Sequence, residues 1–354
     1  MANIRDVAQH AGVSVSTVSN VLNGRTDQMR KETLKRIEDA MAALGYSPNR
    51  AAQQLKTGQA RMIGLLVPSI VNPSFAALAR EVDLAAGSRQ FRVLLGNTYR
   101  KESEESAFIE DMFAHGVRGI IVAASDMEKP HFRQAARKGM IMINYDSRMS
   151  ADSGGALPRF DTISMDNEAA GRMAVQHLLD RGCRSPVFVT EATPTVGRGC
   201  KVGGFLAALR EAGIDVEGRI IEGKARSAYG DTEMSELGQA LAAQVIESGV
   251  RPDSIVAIND ALAIGLMGGL RRAGVAIPRD MSLVGIDNIL LAGLVTPGLT
   301  SVMPPLREMA ELMIDRLITR IDDPRCPPQE QLFAPQLIVR ESVRVPEGEN
   351  GANI

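Results

Sequence analysis

From Met62 onward, short apolar runs rich in β-favouring residues alternate with amphipathic helical stretches. This alternation limits the fold more than any other feature. Strands that are apolar along their whole length need cover on both faces, and the intervening helices supply it. The predicted strands are Ile63–Val67, Arg92–Leu95, Gly119–Ala123, Met140–Asn144, Pro186–Thr190, Arg219–Glu222, Ile255–Ile258 and Leu283–Ile286. The helices between them include Phe75–Ser88, Ser103–His115, Asn167–Arg181, Val202–Ala212, Thr232–Glu247 and Ala261–Ala273. Parallel sheets follow, with more strand–helix units than one doubly wound domain holds, so two α/β lobes are expected. The chain has 354 residues, 45% hydrophobic and 23% charged. That is enough to bury the cores of two or three domains, and it excludes whole-chain disorder and fibrous rods.

The first 60 residues are built differently. Asp6–Ala11 reads as a helix, and Gly12-Val13 breaks it. Ser14 can cap a second helix, Val15–Leu22, which Asn23-Gly24 ends. Lys31–Leu44 is a third helix, with Leu34, Ile37, Met41 and Leu44 on one face. Ser47-Pro48 opens a fourth, closed by Gly58. The spacing of Ala8, Gly12 and Val18 is that of a helix-turn-helix. A small residue sits where two helices touch, a glycine takes positive φ in the turn, and a valine packs the second helix back with Val7, Val13 and Val21.

In a helix-turn-helix the second helix enters the major groove. Its exposed residues give each contact a chemistry. Asn20 can pair with adenine, Ser16 can bond various base edges and Val15 can touch a thymine methyl. Ser14, Thr17, Ser19 and Arg25 suit phosphate contacts. An ordinary helical hairpin without nucleic acid is the other reading of the spacing. A basic head suggests a polyanion partner, and local fluctuation accounts for the charge equally well. Residues 1–60 hold eight Lys/Arg against five Asp/Glu, although the whole chain is at −2.

Several classes are excluded. No apolar run approaches the roughly 18 residues of a membrane span. The opening Met-Ala-Asn-Ile-Arg-Asp lacks a basic segment followed by an apolar one, so a cytoplasmic location is expected. Cys183, Cys200 and Cys326 form no CxxC and suggest no disulfide framework. His10, His115, His131 and His177 have no metal-ligand spacing. No GxxxxGK[ST] or GxSxG occurs, and Gly197, Gly199 and Gly203 give GxGxxxG, one residue too long for a dinucleotide loop. No enzyme, metal or cofactor is expected.

The stretch from Asn3 to Gly24 resembles the signature of the lactose/galactose repressor (LacI/GalR) family of bacterial transcription regulators. The resemblance continues through Leu44–Arg50, Ile63–Pro68, Asn72-Pro73, Ile258–Asp260 and Leu283–Asp287, and covers the chain from Asn3 to about Val343. It implies a small all-α helix-turn-helix head, a hinge helix over Asn49–Lys56, and a two-lobed α/β body like the periplasmic binding proteins, with three crossovers. It also implies a homodimer on a palindromic operator, with the hinge helix in the minor groove. Leu55 matches the residue that wedges open the central base step, Ala52 lies beside it, and Asn49 is placed on the DNA backbone. A linker leucine packing on the body is the other reading of Leu55.

The implied effector is a small sugar or sugar derivative in the cleft between lobes. Polar residues at the carboxyl ends of predicted strands fit this: Ser125, Asp146, Arg148, Asn259 and Asp287. Asp260 and Asp287 also fit helix caps, and we favour a cap for Asp260 and ligand contact for Asp287. Phe75 matches a ligand-packing position and fits a core position equally. Lys201 stands where the family usually has arginine. It keeps the charge and loses the planar fork. With Arg198, Lys224 and Arg226 near in sequence, it raises an anionic effector against plain surface charge. With 4% aromatic residues and no Trp, any stacking falls to Phe or Tyr.

The expected domains are a head at 1–46, a hinge at 47–60 and a body at 61–343, followed by a disordered tail at 344–354. The crossings are placed at Phe160–Thr162, Thr296–Pro305 and Asp322–Pro328. They divide the body into an N-lobe, 61–160 plus 303–323, and a C-lobe, 161–302 plus 324–343. The whole reads as a cytoplasmic, ligand-responsive repressor whose effector closes the cleft and alters operator affinity. The alternative is a sugar-binding receptor of the same body fold without sequence-specific DNA binding.

Overall fold

The computed structural model describes residues 2–22, 26, 29–46, 61–123, 126–148, 160–192, 195–224 and 234–345. The chain divides into two units, Met1–Gln59 and Ala60–Ile354.

In the first unit, α1 is Ile4–Ala11, α2 is Val15–Leu22 and α3 is Lys31–Ala43. α1 starts two residues earlier than expected because Asn3 and Asp6 form a reciprocal capping box. The Asn3 side chain accepts from Arg5 N and Asp6 N, while Asp6 Oδ2 accepts from Asn3 N at 2.8 Å. Gly12 takes φ 62° at the end of α1. The Arg36 guanidinium of α3 donates to the carbonyls of Ala11 and Gly12, capping α1 from another helix. The core is Val7, Ala8, Ala11, Val18, Ile37 and Ala40, with Val13 and Val21 packed against it, as the sequence pattern implies.

The second unit holds two six-stranded sheets. The first runs β2 (Arg92–Asn97), β1 (Met62–Val67), β3 (Gly119–Ala123), β4 (Ile141–Tyr145), β5 (Asp161–Met165), β11 (Glu330–Phe333), all parallel. The second runs β7 (Ile220–Gly223), β6 (Pro186–Glu191), β8 (Ser254–Ala257), β9 (Ser282–Ile286), β10 (Thr300–Met303), β12 (Gln336–Ile338), with only β12 antiparallel. The two lobes therefore repeat one strand order. The central strands β3, β4, β8 and β9 are buried throughout. That burial is the reason they read as continuous apolar runs.

Helices cover both sheets. α4 (Pro73–Ser88) packs with α11 (Leu306–Asp322) over one face of the first sheet, above a core that includes Leu65, Leu78, Val82, Ile143 and Met313. α5 (Glu102–Ala114) and α6 (Pro130–Arg137) cover the other, with Ile109, Phe132 and Met142 inside. The second lobe is flanked by the close pairs α7 (Asn167–Asp180) with α8 (Val196–Glu211), and α9 (Met234–Ile246) with α10 (Asp260–Arg272). A short 3-10 turn follows at Leu290–Gly293.

The crossings differ from the expected ones. Asp161–Met165 is a strand of the first sheet, so the chain crosses at Asp166, after the stretch read as a linker. Thr296–Pro305 contains β10, and its crossing is reduced to Pro304-Pro305. The third crossing is Ala334-Pro335, beyond Asp322–Pro328, because β11 still pairs with β5. Residues 161–165 and 330–333 thus belong to the N-lobe. Sequence patterning misses β5 because it is polar. Asp161, Thr162 and Ser164 are buried, and the Asp161 carboxylate is neutralised from α11 by Arg316 (2.7 Å) and Arg320 (2.6 Å).

Candidate functional site

On α2, Val15, Ser16 and Asn20 are exposed, and Thr17 and Ser19 are half-buried around Val18, which is fully buried. Ser14 accepts from Thr17 N at 3.1 Å, the cap expected of it, and its hydroxyl is 2.7 Å from those of Ser16 and Thr17. Less than two turns of helix thus present amide, hydroxyl and methyl groups outward from a three-helix core. Arg25, Asn49, Ala52 and Leu55 lie outside the described residues.

In the second unit, a cleft opens between the carboxyl ends of the two sheets, where doubly wound folds bind ligands. It holds about 600 Å³, its open mouth included. The N-lobe contributes Asn72, Ser74 and Phe75 at the start of α4, Arg100 after β2, and Tyr145 and Asp146 at the end of β4. The C-lobe contributes Thr195, Arg198 and Lys201 from the start of α8, Ile258 and Asn259 after β8, and Asp287 after β9. Several of these residues hold left-handed backbone: Arg100 (φ 57°), Asp146 (φ 60°) and Asp287 (φ 104°), as does Asn288 (φ 48°) beside it. Such conformations persist only where the surroundings fix them, and they gather at sites.

The loop after β9 shows what fixes it. The Asp260 carboxylate, fully buried, accepts from the Ser301 hydroxyl at 2.6 Å and from Ile289 N at 2.9 Å. Ser301 Oγ accepts in turn from Asn288 N at 3.0 Å, and Arg340 donates to Asn288 Oδ1 at 2.8 Å. Burial pushes the Asp260 carboxyl well above the usual carboxylate range, with the nearby Asp287 adding to the shift. The sequence favours Asp260 as a cap. The cap is Asn259, one residue earlier, whose side chain accepts from Leu262 N at 2.9 Å. Asp260 instead turns inward and braces the strand-end loop that carries Asp287.

Asp146 bridges the lobes. Its Oδ1 accepts from Asn167 Nδ2 of α7 at 2.9 Å, and a side chain at Gly197 of α8 would meet it at 2.8 Å. The glycines that resemble a nucleotide loop are therefore helix, and the first of them makes room for a carboxylate from the opposite lobe. Beside it, burial raises the Tyr145 phenol well above its ordinary range, with Asp146 and Asp287 reinforcing it, so Tyr145 stays a neutral hydroxyl. Arg198 pairs with Glu191 at 2.7 Å, both nearly buried.

Phe75, Asp146, Lys201, Asn259 and Asp287 are brought together in the cleft. Phe75 lines the cleft and also belongs to the N-lobe core. Arg148 is not brought in. Its guanidinium lies 3.7 Å from the exposed Glu168 and stays partly in water, as long charged side chains do when a surface partner is at hand. Ser125 lies outside the described residues. The sequence reading does not place Asn72, Arg100, Tyr145 or Thr195 here. Asn72 and Thr195 give a signal as caps, of α4 and α8.

Residues 3–49 match the family described as bacterial regulatory proteins, lacI family, and residues 175–343 match a periplasmic binding protein-like domain. The HTH-type transcriptional repressor PurR of Photobacterium profundum is 31% identical over 345 residues, covering 97% of this chain and 99% of the relative. The ribose operon repressor of Escherichia coli is 29% identical over 346 residues, covering 97% and 100%. Among solved structures, a LacI family transcriptional regulator from Enterococcus faecium with bound ribose is 28% identical with a TM-score of 0.69, over 80% of this chain and 99% of that one. The lac repressor dimer bound to operator and the anti-inducer ONPF shares the fold at a TM-score of 0.78 and 22% identity, over 96% and 98%. With its helix-turn-helix head and its two-lobed cleft, the chain belongs to the lacI family of bacterial regulatory proteins.

Proposed function

We propose that this chain is a cytoplasmic, homodimeric transcription repressor that binds a palindromic operator and responds to a small polyhydroxy effector in the interlobe cleft. The observation that carries the reading is the outward face of α2. Asn20, Ser16 and Val15 stand exposed on a helix-turn-helix core that matches the lacI family. They would read bases in the major groove, with Ser14, Thr17, Ser19 and Arg25 on phosphates. Leu55, Ala52 and Asn49 would serve the minor groove at the operator centre.

The cleft supports the effector half of the reading. Carboxylate, amide and phenol groups converge at the strand ends, the chemistry that takes up hydroxyls, and the Enterococcus faecium relative carries ribose. Apolar side chains exposed on both lobes, Leu84 of α4 with Leu290 of the 3-10 turn and Leu294 just after it, support a symmetric partner surface. Effector binding would rotate the lobes about the three crossings, and operator and effector affinities would be coupled reciprocally.

The test is selection of genomic DNA fragments by the purified full chain, at a stated salt concentration because phosphate contacts make affinity salt-dependent. A single enriched palindrome, one copy bound per half-site, is expected. Enrichment of no sequence, both alone and with a pool of small metabolites, would overturn the reading.

A further inference from the structure

Among the described residues, Lys201 is a charge with nothing to pair with. It is 7% exposed, on the second turn of α8, and its side chain lines the cleft. Its ammonium has neither a hydrogen-bond partner nor an ion-pair partner there. The stem of Lys201 is packed while its ammonium reaches the open cleft, so a bound anion would supply the counter-charge that no described residue does.

The backbone cannot shift to relieve it. α7 and α8 touch through glycines. A Cβ at Gly171 would fall on the carbonyl oxygen of Lys201 itself, and one at Gly204 would fall on that of Glu168. Lys201 is therefore held in place from behind. Nearby charges are committed elsewhere. Arg198 is taken by Glu191, and Asp146 is taken by Asn167 and lies against Gly197, one helical turn before Lys201. Asp287 and Asn259 of the same lobe, and Tyr145 across the cleft, supply groups suited to hydroxyls.

We propose that the effector is a polyhydroxy compound carrying one anionic group, a carboxylate or a phosphate, with Lys201 Nζ as its counter-charge and Asp287, Asn259 and Tyr145 on its hydroxyls. The proposal rests on the cleft being the effector site. A neutral sugar would give Lys201 an acceptor and leave its charge uncompensated. A lysine also suits this task. It is a compact point charge that needs one oxygen, whereas arginine's fork asks for two in a plane.

The experiment is calorimetric titration of the full chain with aldonates, uronates and sugar phosphates, each beside its neutral parent sugar. At least one anion should bind about tenfold or more tighter than its parent, the worth of one hydrogen bond to a charged group. The carboxylate and phosphate arms tell which anion is recognised. Lys201→Met should erase the preference and Lys201→Arg should keep part of it. The ligand-free Lys201→Met protein should melt no lower than wild type, which shows that the variant folds. Neutral parents binding as tightly as their anions would overturn the proposal. So would a preference that survives Lys201→Met, or binding by none of the anions. Operator release, read by fluorescence anisotropy with the same panel, separates the failures. Release by neutral sugars alone sinks the anion and keeps the cleft, while release by neither class sinks the cleft as the effector site.

Discussion

Asp260 offers a quantitative test of how the cleft is held. Replacing it with alanine removes the acceptor for two buried donors, Ile289 N–H and the Ser301 hydroxyl. An orphaned buried donor costs about 1–3 kcal/mol. Ser301 Oγ keeps its bond from Asn288 N, so its share falls at the low end. Relief of a buried carboxylate offsets part of the cost. Asp260→Ala should therefore lose roughly 2–4 kcal/mol, a fall in melting temperature on the order of 3–7 °C for a body of this size. Asp260→Asn should differ little. Its amide oxygen can accept from Ile289 N–H, and its amide nitrogen can donate to Ser301, whose hydroxyl reverses roles. The assay is thermal unfolding by circular dichroism, because the chain has no Trp. The pH dependence adds a sign. Asp260 is held above its ordinary value of 3.8, so the folded state keeps the proton longer. Its stabilising contribution is fully present below about 3.8 and is lost as pH rises through the raised folded value. Melting of Asp260→Asn minus that of wild type should climb with pH over that window. Alanine and asparagine variants melting within about 1 °C of each other would refute the bracing argument.

Asn20→Ala should cost about 1–3 kcal/mol on the operator and relax specificity at one base position. Competition with base-changed operators checks this, and equal loss on every sequence removes Asn20 from base readout. Asp287→Ala should leave basal operator binding intact and abolish the effector response, as measured by DNA-binding anisotropy, and an unchanged response would place the ligand elsewhere. Asp161→Ala should destabilise the body by roughly 3–5 kcal/mol, since it strands Arg316 and Arg320 against a buried site. A melting temperature equal to wild type would show that the arginines find water or other partners.

Much of this is legible in the residues. α2 and β3 have the predicted bounds, and the core strands of both sheets stand out, because complete burial writes an unbroken apolar run into the sequence. The head is legible for the same kind of reason, since Ala8, Gly12 and Val18 are each required locally. What escapes depends on distant partners. β5 and β10 read as linkers because Asp161, Thr162, Thr300 and Ser301 look like loop residues. Each is buried, and Asp161 and Ser301 are satisfied by Arg316, Arg320 and Asp260, far along the chain. The cleft shows the same limit. Asp287 and Lys201 can be placed from strand ends and motif, whereas the shift of the cap from Asp260 to Asn259 is a one-residue matter settled only by packing.

The three crossings have a mechanical consequence. β5 lies beside β11 in one sheet, and β10 lies beside β12 in the other, so the connections leave from neighbouring strands at one edge of each lobe. Two of them contain proline, at Pro304-Pro305 and Ala334-Pro335, which removes φ freedom where the chain would otherwise swivel. Straps fixed side by side behave like the leaves of a door hinge. They yield to bending across their line and resist twist and shear. A ligand that closes the cleft would therefore spend its binding energy on one swing rather than on many small distortions.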